Sequence, residues 1–196
     1  IYSAPTTAAG TTYYRIVITD PASDCSDPIS NVVSVLVQPD ATVSLAPATS
    51  TVCVGGSVTL NATINGGSST YTIQWQQSAT GSGGWSIVAG QSGTSYSPPT
   101  GTAGTMYYRV AIIDNLCGCD DPVSTNAQVI VLPDISVTTQ PADVTECVGG
   151  NSTMTVVTTG GPAGGLTYQW QQSPTGAAGT WVNSTGTGAT TSTYTP

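Results

Sequence analysis

Apolar and polar residues alternate along most of this chain in runs of about five to nine residues, separated by Gly, Ser, Asn and Pro. Successive side chains of a strand point to opposite faces, so a period of two marks a half-buried strand. In 57–63 the pattern puts Val58, Leu60 and Ala62 on one face. In 71–76 it turns Tyr71, Ile73 and Trp75 inward and leaves Gln74 and Gln76 outward. In 105–112 Tyr108, Val110 and Ile112 face inward while Tyr107 and Arg109 face outward, and 127–131 repeats the alternation. Shorter strands are expected over 41–46, 85–88 and 94–97. No stretch carries a period of 3.6, so helix is expected to be minimal.

The same pattern is written nearly twice. Tyr13-Tyr14-Arg15 returns as Tyr107-Tyr108-Arg109, Tyr2 as Tyr96, and Cys53-Val54-Gly55-Gly56 as Cys147-Val148-Gly149-Gly150, each 94 positions on. Trp75 returns 95 positions on as Trp170, and Trp85 returns 96 on as Trp181. A repeat of that length is a whole domain rather than a solenoid unit. About seven strands per unit, with turn signals every 8–12 residues, describe a two-sheet sandwich of immunoglobulin type. The expected fold class is therefore all-β, in tandem immunoglobulin-like β-sandwiches. One complete domain spans 39–133, bounded by equivalent junctions at Pro39-Asp40 and Pro133-Asp134. Residues 1–38 supply the C-terminal half of such a domain and 134–196 the N-terminal half, so both chain ends fall mid-domain. Trp75 and Trp170 take the place of the core Trp of this architecture, and Tyr14 and Tyr108 that of its tyrosine corner. With no Phe in the chain, these aromatics are the main bulky core residues.

Composition narrows the function. Only 6% of residues are charged, against roughly a quarter in ordinary globular chains. Net charge is −8, Lys and His are absent, and the cations are Arg15 and Arg109. The basic footprint of a nucleic-acid partner or an anionic-membrane partner is missing. Without His or Lys as a base, a phosphate-binding loop or a metal-ligand cluster, no catalytic residue, cofactor or enzymatic activity is expected. No apolar run approaches the roughly 20 residues of a membrane span. The first residues carry no signal peptide, so any targeting signal is expected to be removed or to lie outside this segment. Five Cys in a repeating pattern with no His favour disulfides over zinc, hence an oxidising, extracellular setting.

The succession Val52-Cys53-Val54-Gly55-Gly56-Ser57-Val58-Thr59-Leu60, Ile73-Gln74-Trp75-Gln76-Gln77-Ser78, Gly84-Trp85, Thr94-Ser95-Tyr96-Ser97-Pro98, Tyr107-Tyr108-Arg109 and Cys119-Asp120-Asp121-Pro122 resembles the Ig-like repeats of very large cell-surface and secreted adhesin-like proteins of Bacteroidota. The resemblance covers essentially the whole chain and specifies the domain type better than any ligand. It implies secretion to the cell surface, with the type IX route as one path. It also suggests a Cys53–Cys119 disulfide closing 66 residues, which on the chain-entropy model contributes roughly 4 kcal/mol. Cys117 competes for the same partner, and its role stays open. Cys147 is then expected to pair with Cys25 of the next copy, because each half-domain alone exposes sheet edges and half a core. Either the chain is a window on one long polypeptide, or separate chains complete one another by strand complementation.

Other positions have blander readings beside them. Asp114, Asp120 and Asp121 gather acidic oxygens of the kind calcium uses, although turn-forming Asp is the default. Arg15 and Arg109 suit a cross-strand hydrogen bond or ion pair. Trp85 and Trp181 suit either edge packing or stacking on a surface glycan. Asn61, Asn151 and Asn183 begin glycosylation sequons that have little force in a bacterial protein. The expected function is structural: an extracellular filament or surface stalk of tandem repeats, self-associating head-to-tail and laterally with copies of itself. The alternative is an adhesin or carbohydrate-binding segment whose loops contact surface glycans or proteins.

Overall fold

The computed structural model describes residues 1–19, 21–22, 27–68, 70–113 and 121–196, and every regular element among them is a strand. The described chain contains no helix long and apolar enough to cross a membrane. It divides into two compact units, one of residues 1–50, 59–98 and 106–128, the other of 51–58, 99–105 and 129–196.

The chain opens with β1 (Gly10–Tyr14) and β2 (Val33–Val37), an antiparallel pair that sets Gly10 opposite Val37 and Tyr14 opposite Val33. Eight strands follow: β3 (Thr42–Ala46), β4 (Thr49–Cys53), β5 (Leu60–Asn65), β6 (Thr72–Ser78), β7 (Ser86–Ile87), β8 (Ser95–Tyr96), β9 (Gly104–Ile113) and β10 (Ala127–Leu132). They form a three-stranded sheet, β3-β5-β8, and a five-stranded sheet, β4-β10-β9-β6-β7. Between β3 and β4 the chain leaves one sheet for the other across the cis bond Ala46–Pro47.

The two sheets meet through aromatic rings. Trp75 on β6 and Tyr96 on β8 lie 5.3 Å apart between centroids, and Tyr96 reaches Tyr108 on β9 at 5.6 Å. Leu60, Trp75, Tyr108, Val110 and Ile112 are essentially inaccessible to solvent. The alternation anticipated these inward faces, because apolar residues two apart share one side of a strand. The Trp75 indole is also satisfied in the core, its Nε1 donating to the Gly93 carbonyl at 2.8 Å. The protein is thus all-β, with an immunoglobulin-like sandwich.

Two elements differ from the expectation. β4 is an additional strand, and its residues alternate polar with only half-buried positions, a weak pattern. The strand expected from Ser57 starts at Leu60; in the preceding stretch Thr59 bonds through its side chain to Ser97 at 3.2 Å.

The last part of the second unit holds six short strands: β11 (Ser136–Thr139), β12 (Met154–Thr155), β13 (Val157–Thr159), β14 (Gln171–Gln172), β15 (Val182–Asn183) and β16 (Thr193–Tyr194). They pair as β11–β13, β12–β16 and β14–β15. The registers repeat those of β3–β5, β5–β8 and β6–β7: Ser136 faces Thr159 as Thr42 faces Asn65, Met154 faces Tyr194 as Leu60 faces Tyr96, and Gln171 faces Asn183 as Gln76 faces Ile87.

Candidate functional site

The distinctive surface chemistry of the sandwich is a short row of side chains on β6, on β9 and just before β7. Gln76 stands opposite Arg109 in the β6–β9 ladder. The Arg109 Nε donates to the Gln76 Oε1 at 2.7 Å, and its guanidinium carbon lies 4.2 Å from the centroid of the Trp85 ring. Gln76 in turn donates from Nε2 to the Gln74 Oε1 at 2.9 Å. A guanidinium over an indole face gains from the ring quadrupole, and the planar group keeps its edge for hydrogen bonds. The sequence reading gave Arg109 a cross-strand hydrogen bond or an ion pair; the geometry is a hydrogen bond combined with a cation–π contact. One face of the half-buried Trp85 is therefore covered by Arg109.

Beneath that row, burial pushes the Tyr108 phenol up to about 12, with the neighbouring Tyr96 adding to the rise. Burial alone raises Tyr96.

The chain's first segment has the same local frame, with its apolar positions exposed. Ile16 N–H donates to Ser30 Oγ at 3.0 Å as Val110 N–H donates to Ser124 Oγ at 3.0 Å. Ile18 N–H reaches the Pro28 carbonyl as Ile112 N–H reaches that of Pro122, both at 3.0 Å. Tyr2 and Tyr14 reproduce the Tyr96–Tyr108 contact at 5.5 Å. Yet Ile16 is 61% exposed where Val110 is 0%, Ile18 57% where Ile112 is 0%, and Val33 54% where Ala127 is 0%. Tyr2, Tyr14, Ile16, Val33 and Val35 line a cavity of about 560 Å³, with Arg15 at its wall.

The last segment reproduces the other half of the aromatic cluster. Trp170 stacks on Tyr194 at 5.8 Å and donates from Nε1 to the Thr191 carbonyl at 2.8 Å, as Trp75 does to Gly93. Trp181 is 50% exposed. Gln171 uses its Nε2 on Asn183 Oδ1 at 3.0 Å.

The cysteines give a partial picture. Cys53 and Cys147 are exposed and carry free thiols, while Cys25, Cys117 and Cys119 lie outside the described residues, as do Asp114 and Asp120. Asp121 is exposed, and no cluster of three or more His, Cys, Asp or Glu occurs among the described residues. The row Gln76–Arg109–Trp85 was missed as a unit from sequence. Its signal was there in the recurrence of Trp-Gln-Gln with Tyr-Tyr-Arg, but the spacing along the chain conceals which residues share a face.

A family model described as a domain of unknown function (DUF8696) matches residues 42–133. No curated protein matches the chain. Among solved structures, the chain is similar to one titled as the structural basis for Dscam isoform specificity, at 15% identity and a TM-score of 0.38, covering 67% of this chain and 29% of that one. It is also similar to the N-terminal eight Ig domains of Down Syndrome Cell Adhesion Molecule isoform 1.30.30, at 14% identity and a TM-score of 0.39, covering 83% of this chain and 22% of that one. The chain thus spans less than a third of the length of either.

Proposed function

We propose that this chain is a structural segment of an extracellular filament or surface stalk, built from tandem immunoglobulin-like repeats akin to those of large Bacteroidota surface proteins. The observation that carries the reading is complementarity. Residues 1–38 hold the Tyr14 and Arg15 side of a sandwich and expose Ile16, Ile18 and Val33, whose counterparts Val110, Ile112 and Ala127 are buried. Residues 134–196 hold the Trp170 and Trp181 side and leave Met154 and Trp170 half-buried where Leu60 and Trp75 are fully buried. A head-to-tail contact between unlike surfaces does not close on itself and therefore propagates. A backbone with 6% charged residues and no Lys suits a packed rod better than a steered encounter with a charged ligand.

Oxidation belongs to the same proposal. Cys53 with Cys119 clamps the complete domain, and Cys147 with Cys25 of the next copy clamps each joint. Electron microscopy of native material tests the reading directly. Thin filaments with a one-domain repeat are the expected result, and isolated particles at every concentration would overturn it. A reducing, fully denaturing gel of the same material then separates the two forms of the proposal. A species near 19.7 kDa means separate chains completing one another's domains, and a much heavier one means a single long repeat polypeptide.

A further inference from the structure

Resting on the head-to-tail reading, we infer that residues 13–18 of one copy pair antiparallel with residues 168–173 of a second copy, with Arg15 opposite Gln171. The complete sandwich supplies the template. There β9 lies between β10 and β6, with Arg109 opposite Gln76, Trp75 opposite Val110 and Ser78 opposite Tyr107. β1 keeps the counterpart of the β10 pairing in its ladder with β2, and β14 keeps the counterpart of the β6–β7 pairing in its ladder with β15. The neighbour missing from each is the one the other provides. Carried over residue by residue, the register sets Tyr13 against Ser173, Arg15 against Gln171, Ile16 against Trp170 and Ile18 against Tyr168.

The backbone is already set for this pairing. Ile16 and Ile18 direct their N–H groups to the neighbouring segment, to Ser30 Oγ and the Pro28 carbonyl. Alternation along a strand then turns the N–H groups of Arg15 and Val17 to the open edge. Pairing there buries the exposed Ile16, Ile18 and Val33 and brings Trp170 into the cavity beside Tyr14. Tyr194 already fills against Trp170 the place that Tyr96 fills against Trp75, so Tyr2, itself largely exposed, gives way. Outside, the Arg15 guanidinium covers the exposed ring of Trp181 and donates to Gln171 Oε1, the atom that the Gln171–Asn183 bond leaves unused. The two arginines of the chain then do the same work, Arg109 within a domain and Arg15 across the joint.

Sedimentation velocity of the full chain over a range of concentrations tests the register with three variants. Arg15→Ala is expected to weaken self-association roughly tenfold, the scale of a desolvated cation–π contact with its hydrogen bond. Arg109→Ala is expected to leave association unchanged. Val17→Pro keeps the bonds of Ile16 and Ile18 but removes an edge donor, and is expected to abolish association. Circular dichroism on each variant confirms that the complete domain remains folded. Association that survives both Arg15→Ala and Val17→Pro would overturn this register while leaving head-to-tail assembly standing on another surface. A wild-type chain that stays monomeric throughout would overturn the pairing of separate copies at this joint.

Discussion

Tyr108 carries its phenol into the space between the two sheets, against Tyr96, and the same burial that packs the ring raises its pKa to about 12 from 10.0. The folded state therefore holds this proton more tightly than the unfolded chain does. The resulting stability is fully present below pH 10 and is lost as pH rises toward 12. Spectrophotometric titration is expected to show late ionisation of the buried Tyr108, together with loss of the near-ultraviolet circular dichroism. Ionisation of every tyrosine near pH 10 with the fold intact would contradict the packing of Tyr108. At this scale the sequence was informative, since Trp75 and Tyr108 stand at inward positions of alternating runs and are the largest fully buried side chains. What it concealed was the company they keep. Nothing in the spacing of Gln76, Trp85 and Arg109 reveals that two strands and the residue leading into a third bring them together.

Strand ends in this protein are set by glycine at a few positions where no other residue fits. After β5 the chain reverses at Gly66, whose φ is +74°, and Gly67 N–H bonds the Pro39 carbonyl at 2.8 Å. A Cβ on Gly66 would run into the backbone carbonyl of Asp40. The turn recurs after β13, where Gly160 has a φ of +84°, Gly161 N–H bonds the Pro133 carbonyl at 2.8 Å, and a Cβ would meet the Asp134 carbonyl. The Pro-Asp junctions that bound the repeat in the sequence are thus the seats of these turns. Gly66→Ala is expected to cost about 1–3 kcal/mol, through left-handed strain and a displaced backbone. A urea melt checks it, and an unchanged midpoint would mean that the turn relaxes freely. Elements with strong alternation, such as β9 and β10, were legible to within a residue or two. β4 was not, because its residues are polar at alternate positions and only half-buried at the others, leaving no apolar stripe to read.

At the scale of the whole molecule, burial is uneven along the described residues, dense around Trp75 and Tyr108 and sparse toward both ends of the sequence, and stability should be uneven in the same way. Disulfide formation tests the closed part. Under oxidising conditions Cys53→Ser is expected to lower the stability of the complete domain by roughly 4 kcal/mol, the chain-entropy value for a loop of this size. Cys117→Ser should leave it unchanged, and non-reducing peptide mapping should recover Cys53 joined to Cys119. A Cys53–Cys117 peptide would instead assign the bridge to the competitor. Hydrogen exchange tests the open parts. Amides of β5, β6, β9 and β10, which flank the fully buried Leu60, Trp75, Val110 and Val129, are expected to exchange only on global opening. Those of β1, β2 and β11–β16 border exposed apolar residues such as Val33, Leu36, Val137 and Val182, and should exchange orders of magnitude faster in dilute solution. Raising the concentration should slow exchange in 13–18 and 168–173 together, because each segment supplies the edge the other lacks. Uniform protection in dilute solution would mean that the two open segments are stabilised by something other than a second copy. Protection appearing in one segment without the other would mean that the two are not partners.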